Sequence, residues 1–247
     1  MTPVVAFASV LLLAGPAFAP SAFAQVNCNE GMPPIESTAD SQMSVPDFIR
    51  SVAAKESAFA KAFANFGYTA DVSIQTLQGD TVDGELHLVS TVAFDPAGVR
   101  GAKPDAASSN TLSRLKLSNK EIDSFVLAPA FALTSETIAE RDAVYSGRQQ
   151  VGEHNASVFD LLPRNDQAPL RGFAGRTWVR SDESVVLKTC GRSSNLPIGL
   201  IRYEIRRVEV AGGNWFPALI RADETTRVGD ADVHVRVTVK YSDYKAR

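Results

Sequence analysis

Three histidines are the side chains of this chain best suited to acid–base chemistry: His87, His154 and His234. Histidine is the usual general base, but none of the three stands at metal-ligand spacing or beside a partnered nucleophile in the sequence. His87 and His234 fall in alternating segments typical of strands, and His154 falls in a turn sequence. We therefore interpret all three as exposed polar residues of strands or turns.

Two pairs of adjacent carboxylates are the next candidates for chemistry. Asp182-Glu183 lies in a predicted hairpin turn, and Asp223-Glu224 ends a predicted strand, where a solvated edge accounts for it. The sequence contains no Gly-x-Ser-x-Gly elbow and no phosphate-binding glycine loop, so nothing in it supports a hydrolase. It predicts a protein that is not an enzyme and that holds no cofactor and no metal.

Residues 1–24 have the pattern of a cleavable secretory signal peptide. Residues 4–13 form an apolar core that is too short to span a bilayer. The segment ends in Ala22-Phe23-Ala24, an A-x-A cleavage site, which predicts a mature chain starting at Gln25. The predicted location is therefore the periplasm or the outside of the cell.

Cys28 and Cys190 are the only cysteines of the 247-residue chain. In an oxidising compartment an even number of cysteines favours a disulfide, which would tie the mature N-terminus to the main domain; two free thiols are the alternative. The formal net charge of −3 argues against a nucleic-acid-binding protein. We expect a monomer.

An amphipathic helix is the clearest helical pattern. It follows residues 25–45, whose polar, aperiodic sequence predicts a flexible leader before a domain of residues 46–247. We expect the helix to begin at Pro46 and end at Gly67, with Lys55, Glu56 and Lys61 on its polar side. Its apolar face is formed by Phe48, Val52, Phe59, Phe63 and Phe66.

Short segments with a period of two, separated by turn signals, make up most of the remaining chain. The clearest is 232–241, where apolar residues alternate strictly with polar ones. The other predicted strands are 68–77, 84–94, 112–117, 144–151, 155–162, 172–180, 184–189, 201–210 and 215–224. Residues 95–110 are predicted to be a loop, and Ser118 and Glu121 a helix-capping box before the apolar stretch 122–133. The fold class is mostly β (α+β), with a large antiparallel sheet that is curled or barrel-like.

Aromatic residues are the strongest remaining signal. Phe94, Trp178 and Trp215 lie on predicted strands, and Phe125 and Phe131 lie in the apolar stretch. Facing inward on a curled sheet, they would line a lipid-sized cavity; an ordinary packed core is the alternative. The strand 201–210 also has a basic side, formed by Arg202, Arg206 and Arg207, that would be either a solvated face or a contact for an acidic partner or anionic lipid headgroups.

Three blocks of the second half resemble hairpin signatures of a known group of proteins. The first two resembled signatures are Y-x-G-R-x-x-V-x-G with V-F-D-x-x-P and F-x-G-R-I-W-V-D with I-V-R. The third block is a Trp-Phe-Pro-Ala strand before a valine-rich one. The segments are 145–154, 158–163, 173–179, 184–188, 215–218, 221–223 and 240–244. In these blocks the chain is similar to the periplasmic lipoprotein-carrier superfamily of LolA, LolB and RseB-like proteins, and more narrowly to exported acidobacterial members.

This resemblance implies an unclosed, strongly curved antiparallel β half-barrel with helices across its concave side. It also implies a hydrophobic cavity for lipid or for lipoprotein acyl chains, in a protein that sorts outer-membrane lipoproteins. Phe48, Phe59 and Phe63 of the predicted helix would then cover the cavity. An envelope protein-interaction or sensor module, with a filled core, an envelope protein partner and no lipid ligand, is the alternative.

Overall fold

The computed structural model describes residues 26–37, 44–127, 131, 133–164, 173–194, 196–198 and 201–247. The predicted signal peptide and Gln25 lie outside these residues. The helices are α1 (Val45–Phe63) and α2 (Asn119–Leu127), with a 3₁₀ turn at Ile138–Glu140. The strands are β1 (Phe66–Gln78), β2 (Thr81–Phe94), β3 (Arg100–Pro104), β4 (Ser109–Asn110), β5 (Arg141–Val151), β6 (His154–Pro163), β7 (Phe173–Arg180), β8 (Val185–Ser193), β9 (Arg202–Val210), β10 (Asn214–Val228) and β11 (Ala231–Ala246).

All of these strands belong to one antiparallel sheet. Its order is β3-β2-β1-β11-β10-β9-β8-β7-β6-β5, with β4 paired to β2. In the described part of the chain β3 and β5 do not pair with each other, so the sheet stays open. This confirms the predicted mostly β fold with an unclosed antiparallel half-barrel.

Two predictions about local structure between β2 and α2 are wrong. Residues 95–110 are not wholly a loop, because β3 and β4 lie within them and pair with β2. Residues 112–117 do not form a strand. They are held instead by side-chain contacts, since Leu115 is buried and Arg114 donates a hydrogen bond of 2.6 Å to the Leu77 carbonyl.

Helix α1 lies across the sheet with its apolar face buried, and it ends earlier than predicted. The helix stops at Phe63, and Phe66 and Gly67 already belong to β1. A Cβ atom at residue 67 would lie 2.7 Å from the Val92 carbonyl oxygen. Glycine is therefore required there by the close approach of β2 rather than by a helix end.

Helix α2 has the predicted capping box. The Glu121 carboxylate accepts hydrogen bonds from the Ser118 N–H (2.8 Å) and hydroxyl (2.7 Å). Its other end is fixed to the sheet, because the hydroxyl of Tyr68 donates to the Val126 carbonyl at 2.7 Å and that of Tyr241 to the Phe125 carbonyl at 2.5 Å. Burial raises the pKa of Tyr68 to about 12, so this hydroxyl stays a donor at physiological pH.

The two faces of the sheet are covered by different parts of the chain. Phe159, Val179 and Val186 pack with Phe48 and other residues of α1, and we call this side the helix face. Side chains of neighbouring strand residues point to opposite faces. The opposite face is crossed by residues 26–37, which we call the N-terminal strap. This part of the predicted flexible leader is thus packed on the sheet.

Candidate functional site

Aromatic rings fill the helix face beneath the C-terminal half of α1. The ring centroid of Phe63 lies 5.2 Å from that of Phe216 and 5.7 Å from that of Phe131. Tyr68 and Tyr244 complete the cluster, at 5.1 Å and 6.1 Å from Phe63. These spacings are those of directly packed rings. The interior at this point is a closed core and not an open cavity.

The other predicted aromatic residues do not belong to this group of rings. Three are buried elsewhere in the core, and one lies at the end of β2. Phe59 belongs to the main core, and Phe125 packs near Tyr203 at 6.4 Å. Phe48 stacks on Phe159 at 5.4 Å in a second cluster. Phe94 is only half-buried, at the end of β2, where the Arg247 guanidinium lies 5.4 Å from its ring centroid.

Both tryptophans lie away from these rings. Trp178 is opposite Lys188 in the sheet, its indole N–H donates to the Gln149 side chain at 2.5 Å, and the Lys188 ammonium lies 4.9 Å from its ring. Lys188 in turn donates to the Cys28 carbonyl at 2.6 Å, which places this group under the strap. Trp215 packs edge-on against His154 at 5.7 Å. The predicted aromatic set therefore does not line one shared cavity.

An apolar groove of about 670 Å³ lies instead beside the N-terminal half of α1. It runs between α1, the 3₁₀ turn and the start of β5, and it borders the cluster around Phe48 and Phe159. Its volume falls within the range of about 300–1,000 Å³ typical of small-molecule sites. The apolar side chains that line it include Val45, Ile49, Ala53, Ile138, Ala139 and Ala143.

The rim of the groove is charged. Arg50 and Arg164 are exposed and form ion pairs with Asp47 and Asp142, the second pair at 3.0 Å. Arg141 is buried, and its Nε donates to the Phe173 carbonyl at 2.6 Å. The groove thus combines an apolar wall with guanidinium groups at its border.

A buried ion pair fixes α1 on the sheet. Glu56, predicted on the polar side of the helix, is 1% exposed and accepts two hydrogen bonds from Arg207 of β9, one of them at 2.7 Å. The Arg207 guanidinium also lies 4.6 Å from the ring centroid of Phe131. The prediction that Arg202, Arg206 and Arg207 form one basic side of β9 is wrong. Arg206 points to the opposite face from Arg207 and pairs with Glu204 at 2.5 Å.

The strap is held to the opposite face by covalent, ionic and backbone contacts. Cys28 and Cys190 form a disulfide with Cα atoms 5.8 Å apart. Glu30 pairs with Arg221 at 2.8 Å. At the sheet edge the Glu36 N–H donates to the Arg148 carbonyl at 2.8 Å. Gly147 beside it, with a φ of 130°, makes room for this contact, because a Cβ there would lie 2.3 Å from the Glu36 carbonyl oxygen.

Beneath the strap, Lys188 and Glu204 form a fully buried ion pair at 3.1 Å. Burial raises the pKa of Glu204, but Lys188, Arg206 and Arg221 lower it by more, so the net shift is downward. Burial lowers the pKa of Lys188, which Glu204 partly opposes. The pair is a structural support for the strap, since it contacts the Cys28 carbonyl rather than a cleft.

Two of the three histidines and the adjacent carboxylates Asp223 and Glu224 contact charged side chains. His87 lies 3.0 Å from Asp71, and His234 contacts Asp223 and is mostly buried. The predicted solvated edge at Asp223-Glu224 is wrong, because β10 continues to Val228 and Glu224 is buried against Arg192 at 2.7 Å. In the described residues no group of three or more His, Cys, Asp or Glu side chains is arranged to hold a metal ion.

The groove was not predicted from the sequence. Its apolar wall is formed by alanines and single aliphatic residues of two distant segments, 45–53 and 138–143, none of which stands out beside the phenylalanines. The signal that was present is the pair Val45 and Ile49, one turn apart at the start of α1. Among the described residues, no helix is both long and apolar enough to cross a membrane.

Similar solved structures were found, at low sequence identity. A LolA superfamily protein from Nitrosomonas europaea is 13% identical, with 83% of this chain and 94% of that chain covered and a TM-score of 0.35. A DUF1329 family protein from Desulfovibrio piger is 12% identical, with 81% and 92% covered and a TM-score of 0.38. A putative outer membrane lipoprotein-sorting protein domain from Vibrio parahaemolyticus is 9% identical, with 80% and 92% covered and a TM-score of 0.38.

The first of these proteins belongs to the superfamily that the hairpin blocks of this chain resemble. No protein-family profile matches the sequence, and no curated protein similar to it was found.

Proposed function

We propose that this protein is a non-catalytic binding protein of the bacterial envelope that holds a hydrophobic ligand, a lipid or a lipoprotein acyl chain. The groove of about 670 Å³ beside α1 carries the proposal. A periplasmic location rests on the predicted signal peptide. Sorting of outer-membrane lipoproteins is the specific role that the sequence resemblance implies for such a protein.

Apolar burial would supply the affinity. Val45, Ile49 and Ile138 offer branched side chains on adjoining sides of the groove. Each methylene that leaves water contributes about 0.8 kcal/mol. A chain of several methylenes against this wall would therefore bind without any charged contact.

The lining of the groove supports binding rather than catalysis. The described lining contains one hydroxyl side chain, Ser135, and no histidine. The backbone N–H of Ser135 donates to the Ser57 hydroxyl at 2.9 Å, so the residue is engaged with α1. A serine nucleophile needs an adjacent base that removes its proton, which these contacts do not provide.

An envelope protein-interaction or sensor module is the second candidate function. The closed aromatic core around Phe63, Phe131 and Phe216 favours it, since a carrier that used the helix face would leave that volume open. The two proposals differ in their ligand: the module would co-purify with a protein and without lipid.

Native mass spectrometry of the purified mature protein, followed by solvent extraction and lipid analysis, tests the first proposal. We expect a fraction of the protein to carry a bound lipid that denaturing conditions release. Protein without any lipid that also fails to bind the neutral apolar probe N-phenylnaphthylamine would reject it. Co-purification of a stoichiometric protein partner under the same conditions would support the second candidate.

A further inference from the structure

The described lining of the groove beside α1 contains more arginines than carboxylates. The ionisable side chains of its described lining are the three arginines Arg50, Arg141 and Arg164 and the single carboxylate Asp142. Arg50 pairs with Asp47 and Arg164 with Asp142, so both guanidinium groups already bind carboxylates at the border of the groove. Charge complementarity therefore points to a ligand with an anionic end.

Two of these arginines are free to turn toward a ligand. Arg50 is 72% exposed beside Asp47, and Arg164 is 61% exposed beside Asp142. Exposed ion pairs of this kind contribute little to stability, so an anionic headgroup can compete with the aspartates. Guanidinium groups match a carboxylate with two parallel hydrogen bonds.

Arg141 is held in place and adds a fixed charge. It is 6% exposed, it begins β5, and its Nε donates to the Phe173 carbonyl at 2.6 Å. Because its side chain does not need to be ordered when a ligand binds, it loses little conformational entropy. It marks the buried end of the charged border.

The size of the groove limits the number of chains it can hold. A water-sized group takes up about 30 Å³, so 670 Å³ corresponds to about 20 such groups. This suits one long hydrocarbon chain with a small headgroup. The two or three chains of a phospholipid or a lipoprotein would need considerably more room.

We propose that the ligand of the groove is a single-chain fatty acid, with its carboxylate bound by Arg50, Arg141 and Arg164. Its chain would lie against Val45, Ile49 and Ile138. This inference rests on the proposed function, since it specifies the ligand of the same groove.

The test compares ligands that share one chain and differ in the headgroup. The mature chain, saturated with N-phenylnaphthylamine, is titrated with laurate, dodecanol or dodecyl phosphate, and loss of probe fluorescence is followed. We expect laurate to displace the probe at a concentration at least about tenfold lower than dodecanol, as charge-assisted hydrogen bonds require. This comparison on the unaltered protein does not depend on any variant folding.

The arginine variant R50Q/R164Q then locates the headgroup. We expect it to lose most of the preference for laurate while binding dodecanol as before. The control is R227Q/R236Q, which removes the same charge from two arginines distant in sequence; Arg227 pairs with Asp232 at 3.1 Å and Arg236 with Asp223 at 2.9 Å. The control should leave the preference unchanged.

Laurate that binds no tighter than dodecanol would overturn this inference and leave the proposed function standing. Dodecyl phosphate that binds far more tightly than laurate would also overturn it, in favour of a phosphate headgroup. If none of the three ligands binds and the probe itself does not bind, both the inference and the proposed function are rejected.

Discussion

Arg207 of β9 and Glu56 of α1 form a two-hydrogen-bond ion pair in which both side chains are 1% exposed. The two residues are 151 positions apart in the chain. Because separating two buried opposite charges is costly, the pair fixes where α1 sits on the sheet. The position of α1 in turn sets the width of the groove beside its N-terminal half.

Removing one partner of this pair should destabilise the protein strongly. We expect Glu56→Gln to lower the free energy of unfolding by about 3–5 kcal/mol, because it removes the carboxylate that faces the buried Arg207 charge. Urea unfolding followed by circular dichroism measures the change. The double variant E56L/R207M, which replaces the pair by apolar side chains, should recover most of the loss. A single variant as stable as the unaltered protein would show that the charges do not interact.

The disulfide should stabilise both the fold and the strap. We expect the chain carrying Cys28→Ser and Cys190→Ser to lose about 2–5 kcal/mol of unfolding free energy, because the bond closes a long loop in the unfolded chain. Reductant should lower the melting temperature of the unaltered protein and have no effect on the double variant. Thiol titration of the folded protein that detects two free thiols would contradict the pairing.

The ion pair between Asp160 of β6 and Arg176 of β7 should make stability depend on acid pH. Burial raises the pKa of Asp160, but the hydrogen bonds from Arg176 and Ser146 and the charge of Arg176 together lower it below its ordinary value. A carboxylate whose pKa is lowered by folding contributes stability above its unfolded pKa and loses it as pH falls through the folded value.

The stability advantage of the unaltered protein over Asp160→Asn should therefore be constant above about pH 5, begin to fall near pH 4 and be lost only as the pH falls through the lower folded pKa of Asp160. Urea unfolding across this range measures it. Asp232→Asn is the control and should cost little stability, because its exposed ion pair with Arg227, at 3.1 Å, contributes little. An advantage of D160N that grows as pH falls would mean that Asp160 is protonated more easily in the folded state.

The sequence could predict those elements that are decided by a regular alternation of apolar and polar residues or by a contact between near neighbours in the chain. Strand β11 was predicted because Val233 to Tyr241 alternate with polar residues against one core. Helix α2 was predicted from its capping box, a local contact between Ser118 and Glu121. In each case the deciding interactions lie within a few residues or one repeating period.

What the sequence could not predict depends on distant partners or on irregular strands. Glu56 has the sequence pattern of a solvated residue, because its partner Arg207 is distant in the chain and meets it only in the folded protein. Trp178 was expected to face a cavity, but its indole lies under the strap. The register shifts beside it, with Leu187 as the extra residue of β8 between Val186 and Lys188. A β-bulge changes which residues share a face, and no residue type marks this one.

Filling the groove tests the binding site most directly. Ala139 lines the groove from the 3₁₀ turn and is exposed, so Ala139→Trp can occupy the volume without disturbing the core. Ala107, which is also exposed and lies between β3 and β4, provides the control Ala107→Trp. The measurement is a fluorescence titration of residues 25–247 and of both variants with N-phenylnaphthylamine. The proposed site predicts that A139W weakens binding by about tenfold or more, the loss of about 1.4 kcal/mol of apolar contact, while A107W binds like the unaltered protein. Equal binding by all three proteins would contradict the groove as the ligand site.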